Sequence, residues 1–480
     1  MSGGRKALLL LVLSAAIIGA CRKTGDLLPN QAPDSHFVVD SIKLVGDGRL
    51  NSRVKLSWYG TDIDGYVAGY EISEDNLSWT YTEAQDSLFQ FVLPPGADTT
   101  DIELWLRAVD DQGLRDQEPA YLRVPLKNSP PSARFDEKAL PNDSVRSVIT
   151  FLWNFTDPDG NETVTQAFLK VNQGDWTLVD KNQGLVSILL DPNASGTATG
   201  DIYYGTQSSS ALSINGLLPD AENQIFVKVV DLAGSESPVD SSNIFYLKQK
   251  TSDLLVVGGQ PASVKQVYLD LLNDAGLNYD LEDYNANTSA LAPKFWDPTF
   301  RLLTGLYDQL FIYADPNTLS PNPVSGAEER LLNLAASAVQ AFTDKGGKSL
   351  TTTSFTPAVD ITPLIGAFPI DELISSPGQA RVVPDSGMYS IDSTLYPDIF
   401  PFNIDIGVDP FIKSADAEPF YRGRLTKLSN WSGDNLLASR RLRNGEVIQI
   451  LFSVELHRYT DDRQATLELF DQIFNDDFNW

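Results

Sequence analysis

The chain has almost no sulfur and almost no imidazole: one Cys, two Met and two His among 480 residues. A single cysteine forms no disulfide within the chain and excludes paired-thiol redox chemistry. Two histidines and one cysteine also exclude zinc sites with the usual Cys/His ligand counts. Positive charge is scarce as well. Lys and Arg total 36 against 64 Asp and Glu, for a net charge of −28. So acidic a surface repels phosphate backbones, and no nucleic acid is expected as a partner. What is present suffices for folding. The 42% hydrophobic content, with 8 Trp, 17 Tyr and 23 Phe, argues against disorder. At roughly 150 residues per domain the length predicts about three domains.

The lone cysteine closes a segment with its own logic. Arg5 and Lys6 precede "ALLLLVLSAAIIGAC", a positive start, an apolar run and small residues, which is the layout of a secretory signal over residues 1–20. The run is short for a membrane span of about 20 residues. Its end, Ile18-Gly19-Ala20-Cys21, resembles a bacterial lipobox. The resemblance implies that Cys21 becomes the lipidated first residue, partnered with a membrane through acyl chains worth about 0.8 kcal/mol per buried methylene. Residues 21–33 are polar and contain proline, as a tether would. Arg22 does not resemble the Asp that often retains lipoproteins at an inner membrane, so the outer membrane is the expected location.

From residue 34 the chain reads as strands and turns. Val54, Leu56 and Trp58 alternate with Lys55 and Ser57, the period of a half-buried strand. "WYGTDIDG" at 58–65 is answered by "WNFTDPDG" at 153–160, and "AVDDQG" at 108–113 by "VVDLAG" at 229–234. Two echoes in one order predict a duplication, with β-sandwich repeats over 34–127 and 128–249. The second copy carries a loop-like insert around "DPNASGTATGDIYYGTQSSS". These stretches resemble bacterial fibronectin type III or related immunoglobulin-like repeats, which usually act as spacers or binding modules. The Asp-x-Asp-Gly pairs, Asp62 with Asp64 and Asp157 with Asp159, read most simply as tight turns capped by aspartate. Calcium is the alternative, but neither copy continues to the Glu that an EF-hand loop requires, so no metal is assigned.

At "SDLLVVGGQ" the period changes. Leu254–Val257 is a continuous apolar run, as in a strand buried on both faces. Helical spacing follows at Val264, Val267, Tyr268, Leu271 and Leu272, ending at Gly276. "YDQLFIYAD" reads as a further strand, Ser325 with Glu328 as a capping box for a helix with a stripe from Leu331 to Phe342, and "GEVIQILFSVEL" as the last strand. The alternation predicts an α/β domain with a parallel sheet over 250–480, interrupted by an irregular insert at about 356–440. The expected fold class is thus multidomain, two all-β sandwiches followed by an α/β parallel-sheet domain.

"LLVVGG", "YDQLFIYAD", "AFTDKGGKSLTTT" and "GEVIQILFSVE", in that order, resemble the class I glutamine amidotransferase-like superfamily, which includes sugar-processing and catalytically silent members. Active members carry a cysteine on the turn after the fourth strand and a His-x-Glu on the last. Here Ser354 stands near the first position without flanking glycines, and Glu455 and His457 come in reversed order. The glutaminase reaction is excluded. Ser354 with His457 as base is the residual hydrolase possibility. Alternation predicts that Glu455 and His457 share a strand face and pair with each other. No catalytic residue and no cofactor are assigned. The insert segment "YPDIFPFNIDIGVDPFI" offers aromatics with carboxylates, suited to carbohydrate, or else packs over the sheet. The expected function is a lipid-anchored, noncatalytic binding or scaffolding protein of the cell envelope with a protein or glycan partner. The alternatives are an envelope hydrolase using Ser354 with His457 or carboxylates of the insert, and a glycan-capture lipoprotein of an outer-membrane uptake system.

Overall fold

The computed structural model describes residues 29–38, 49–284, 292–315, 319–321, 328–355, 360–374 and 380–479. Cys21, the signal and most of the tether lie outside them, as does Ser325. The chain is mostly β-sheet. It divides into two compact units. The first holds residues 1–130 with the segments 157–163 and 231–235, and the second holds the remainder.

In the first unit β1 (Asp34–Val38), β3 (Arg53–Thr61) and β6 (Asp86–Gln90) form one sheet in the order β1-β3-β6. β2 (Leu50–Asn51), β4 (Val67–Ser73), β5 (Thr80–Thr82), β7 (Thr99–Asp110) and β8 (Ala120–Lys127) form the other, in the order β2-β8-β7-β4-β5. The alternating residues Val54, Leu56 and Trp58 face Leu104, Leu106 and Leu126 between the sheets, and Trp58 is 2% exposed. Its indole N–H donates to the Ala84 carbonyl at 2.9 Å, so the one polar atom of the ring is satisfied.

The second unit begins with a larger sandwich. β9 (Ser132–Phe135), β11 (Val148–Thr156), β14 (Leu185–Leu190), β15 (Ala198–Tyr204) and β16 (Leu212–Leu217) make one sheet, ordered β16-β15-β14-β11-β9. β12 (Val164–Val171), β13 (Thr177–Val179), β18 (Ile225–Asp231) and β19 (Asp240–Ser241) make a second, and β10 (Ser144–Arg146), β17 (Ala221–Asn223) and β20 (Phe245–Lys248) a third. Trp153 holds the matching position in the second core, with its indole N–H on the Gln183 carbonyl at 3.1 Å.

The same unit continues into an eight-stranded mixed sheet. β21 (Leu254–Gly259), β22 (Asp280–Asp283), β23 (Gln309–Ala314) and β26 (Lys348–Thr353) run parallel, joined by β35 (Glu446–Phe452). Between them lie a hairpin of β24 (Leu319–Pro321) and β25 (Glu328–Arg330) and the segments β27 (Glu372–Leu373), β28 (Ala380–Val382), β29 (Met388–Ser390), β30 (Asp405–Val408), β31 (Phe411–Ile412), β32 (Ala417–Gly423), β33 (Thr426–Lys427) and β34 (Leu436–Arg443). Alternate residues of each parallel strand go to opposite faces. Leu254, Val256, Phe311 and Ile450 meet Tyr268 and Leu272 of α1 (Ala262–Asp274) and Leu469 and Phe470 of α3 (Arg463–Asp471). Leu255, Val257, Ile312 and Leu451 meet Leu331, Ala335 and Val339 of α2 (Leu331–Asp344). Both faces are therefore covered, which is why β21 and the middle of β23 read as continuous apolar runs.

Two expectations are corrected here. The span 356–440 is not an irregular insert. β29, β32 and β34 extend the main sheet as an antiparallel edge, ordered β35-β34-β32-β29, so the sheet is mixed rather than parallel. Pro419 and register shifts break the period of β32 and hide it in the sequence. The helix after β25 begins at Leu331 with Arg330 at its N-cap, and Glu328 lies in a strand, so the helix starts later than the expected capping box, whose Ser325 lies outside the described residues.

The sandwich and sheet of the second unit are bolted together by charge. Arg146 Nη1 donates to Asp280 at 3.0 Å and Nε to Glu282 at 2.6 Å, while Tyr307 donates to Asp280 at 2.9 Å. Val148 packs in the same apolar cluster as Leu255 and Val257. Among the described residues no helix is long and apolar enough to cross a membrane.

Candidate functional site

The carboxyl ends of parallel strands leave a crevice where ligands of open α/β sheets bind. Here that edge is marked by Gln260 after β21, Ser354 after β26 and Glu455 after β35. They converge on one carboxylate. Glu455 Oε1 accepts from Gln260 Nε2 at 3.1 Å and from Ser354 Oγ at 3.2 Å, and Oε2 accepts from Arg458 Nε at 2.6 Å. Gln260 and Glu455 are buried, and Ser354 is half-buried. The loop that carries Glu455 is nailed to β26, because Thr352 Oγ1 donates to the Val454 carbonyl at 2.6 Å and accepts the Leu456 N–H at 3.0 Å.

His457 is turned elsewhere. The last strand stops at Phe452, and Glu455 caps a 3-10 turn, Leu456–Arg458, so alternation along a strand does not apply and the expected Glu455–His457 pairing is replaced. The His457 N–H donates to the Tyr268 hydroxyl at 3.1 Å, its Nδ1 lies 3.4 Å from the same oxygen, and its ring meets the Tyr268 ring edge-on at 5.8 Å. Burial pushes His457 down to about 4, opposed by the Glu455 charge and reinforced by Arg458, so the ring is neutral at pH 7. Burial likewise drives the Tyr268 phenol far above its ordinary value.

Ser354 does not sit on a strained elbow, for it is absent from the residues of positive φ. Its hydroxyl meets Glu455, not His457. The sequence reading missed Gln260, Tyr268 and Arg458. Only Gln260 carried a hint, as the polar residue that ends the buried run "LLVVGG".

A few residues away lies a second buried polar pair. Tyr459 donates to Asp405 at 3.0 Å, and Arg458 Nη1 is 3.8 Å from the same carboxyl group. Burial raises Asp405 to about 6, against the pull of Arg458. The segment around it mostly packs inward: Tyr396, Ile399, Val408 and Phe411 are buried, whereas Phe402, Ile404 and Ile406 are exposed.

The four Asp-x-Asp-Gly carboxylates do a different job in the first unit. Asp62 and Asp157 each accept the N–H two residues on, at 3.3 and 2.8 Å, and so close the turn. Asp64 and Asp159 reach back to the linker leading into each copy, accepting the N–H of Gln31 at 3.1 Å and of Ser129 at 2.6 Å. The later echo completes the clamp. Asp110 is held by the Asn30 amide, and Asp231 by the Asn128 amide at 2.6 Å. Asp159 also accepts from the Ser52 N–H at 2.9 Å. Burial raises Asp157 above its ordinary value, with Asp159 and Asp231 adding to it and hydrogen bonds from Asp159 and Thr163 opposing. Asp62 Oδ2 is buried without a hydrogen bond, and a Cβ at Gly65 would fall 2.6 Å from it and from Asp111 Oδ1. Among the described residues no group of three or more Asp, Glu, His or Cys is placed to hold a metal ion.

No family model and no curated protein matches the chain. Solved structures do. Fibronectin(III)-like modules of CbhA from Clostridium thermocellum are 15% identical and cover 45% of this chain and 95% of theirs, at a TM-score of 0.17. The PKD1 domain of Epp from Vibrio anguillarum is 17% identical over 20% of this chain and 96% of its own, at 0.15. A GMP synthase component of Thermoplasma acidophilum is 10% identical over 47% of this chain and 94% of its own, at 0.27. At such TM-scores these likenesses carry no argument, and the fold stands on the sheets described above.

Proposed function

We propose that the chain is a lipid-anchored, noncatalytic protein of a bacterial cell envelope, held at the outer membrane through Cys21. In this reading residues 34–127 and 128–249 are fibronectin type III-like spacers. Residues 250–480 are an α/β, glutamine amidotransferase-like module that binds a protein or glycan partner. One observation carries the noncatalytic part. Glu455, the carboxylate beside the only candidate nucleophile, is engaged by Gln260, Ser354 and Arg458 together. Both of its oxygens are occupied by donors, and the Ser354 hydroxyl meets this carboxylate rather than His457, the histidine that would have to take its proton. The same polar edge, with donors and acceptors already fixed by packing, suits recognition.

The second reading is a hydrolase, favoured by the 3.2 Å contact of Ser354 with Glu455. A broad fluorophosphonate probe separates the two. The full chain is expected to stay unlabelled, whereas stoichiometric labelling lost in Ser354→Ala would establish the hydrolase, since a working dyad accelerates by orders of magnitude.

A further inference from the structure

The first sandwich is open where the second is closed. The two tryptophans set the register between copies: the Trp58 backbone N–H donates to the Gln85 carbonyl at 2.9 Å, and the Trp153 backbone N–H to that of Gly184 at 3.0 Å. From there β6 matches β14. Ser87, opposite Leu56, corresponds to Val186, opposite Phe151, and Phe89, opposite Val54, corresponds to Ile188, opposite Ile149. In the second copy the far edge of β14 is occupied by β15, antiparallel, with Val186↔Tyr204, Ile188↔Ile202 and Leu190↔Gly200. β16 follows β15 in the sheet, and the Gly216 carbonyl on it accepts from the Asn172 amide at 2.9 Å, just beyond β12. Val186, Ile188, Ile202, Ile214 and Leu217 are sealed in one core.

The first copy has no such hairpin. It passes from β6 to β7 through residues 91–98 alone, and among the described residues β6 ends its sheet and β5 ends the facing one. Between those two edges lies a cleft of about 450 Å³, floored by Trp58, Ile72 and Phe89 and rimmed by Thr80, Thr82 and Ser87. Ser87 is exposed and Phe89 only half-buried, where their counterparts Val186 and Ile188 are 0% exposed. The size and the apolar floor are those of a binding site, and an unpaired strand edge is a ready template for another strand.

We propose that this cleft receives one extended segment of a partner protein, which adds antiparallel to β6 and places alternate apolar side chains over Phe89 and Trp58. The partner's chemistry is read from the strand that fills the equivalent place. β15 turns Ala198, Gly200, Ile202 and Tyr204 inward and Thr199, Asp201 and Tyr203 outward. Charge refines the choice. Glu74 and Asp75 line the cleft and no Lys or Arg does, so basic flanks are favoured over acidic ones. Main-chain hydrogen bonds supply affinity and the alternate pockets supply selectivity, as in other strand additions. This gives the first sandwich a capture role beyond spacing.

The test uses the intact chain and a synthetic peptide, TATGDIYYG, copying residues 197–205 and extended by two lysines at each end to supply the basic flanks. Saturable binding is expected, with amide hydrogen exchange at Asp86–Gln90 slowed about tenfold at saturation. Ser87→Trp, which blocks the mouth from an exposed position, should weaken binding about tenfold. A peptide N-methylated on alternate amides keeps the side chains but cannot form the ladder, and it should lose binding to the unaltered protein. The proposal is overturned by absence of saturable binding up to about 1 mM, by protection confined to β14, or by equal binding of the N-methylated peptide. Protection of the same amides by neutral oligosaccharides but not by the peptide would overturn it too, in favour of a glycan.

Discussion

The backbone N–H of Ser129 donates to the Asp159 carboxylate across 2.6 Å, so the turn of the repeated motif holds the linker that leads into its own repeat. Gln31 and Asp64 repeat the relationship in the first copy at 3.1 Å. Asp159→Ala leaves the buried N–H of Ser52 and the half-buried N–H of Ser129 without their acceptor. A loss of about 2–4 kcal/mol is expected from two unsatisfied donors at about 1–3 kcal/mol each, partly relieved by water. Asp159→Asn, which keeps one acceptor oxygen, should recover part of it. Urea unfolding followed by tryptophan fluorescence gives the number, and a change below about 0.5 kcal/mol would show that the clamp is ornamental.

Trp58→Ala and Trp153→Ala should each cost about 3–5 kcal/mol, the usual range for a buried tryptophan. The two need not be equal. Trp58 borders an open cleft into which neighbours can relax, whereas Trp153 is enclosed by β14 and β15. The Trp153 variant is therefore expected to be the more damaged, and paired chemical denaturation curves would reveal the reverse order if the cleft were in fact rigid.

Two buried groups near the carboxyl edge oppose each other in acid. His457 falls to about 4 in the folded chain, below the ordinary 6.5. The unfolded chain takes that proton first, so its stabilising contribution is complete above pH 6.5 and is lost as pH falls towards 4. Asp405 rises to about 6 from 3.8, so the folded chain takes the proton first, and stability is gained as pH falls through that window. Each displacement corresponds to about 3 kcal/mol. The intact protein should thus show little net dependence from this pair between pH 6 and 4. Asp405→Asn should make stability fall steeply on acidification, and His457→Gln should make it rise. Parallel pH–stability profiles of both variants would refute the assignment.

Cys21→Ser should release the protein from the detergent phase on fractionation, because the acyl chains are its expected hold on the membrane. Unchanged partition would end the anchor proposal.

The sequence disclosed the architecture where one rule governed a segment. Strict alternation around Trp58 and Trp153 marked half-buried strands, and the unbroken run Leu254–Val257 marked a strand covered on both faces. It misled where two rules competed. Pro419 and the shifts beside Tyr421 obscured β32, so a sheet edge passed for an insert. Glu455 and His457 looked like neighbours on a strand because nothing local announces that β35 stops at Phe452. The Ser354–Glu455 contact joins residues 101 apart in sequence, and no periodicity encodes such a meeting. The Asp-x-Asp-Gly motif was legible as a turn, while its hold on the preceding linker depends on the later Asp110 and Asp231 as well.

Arg146 ties a strand of the second sandwich to Asp280 and Glu282 at the base of the parallel sheet, with all three side chains largely withdrawn from water. Mechanically, that removes the hinge that residues 249–253 would otherwise provide. A tensile load drawn through the second unit meets a guanidinium gripping two carboxylates, which gives nothing until it gives entirely, because separating buried charges costs several kcal/mol with no intermediate gain. The second sandwich and the sheet would yield as one element under traction, a stiff strut rather than two beads on a string.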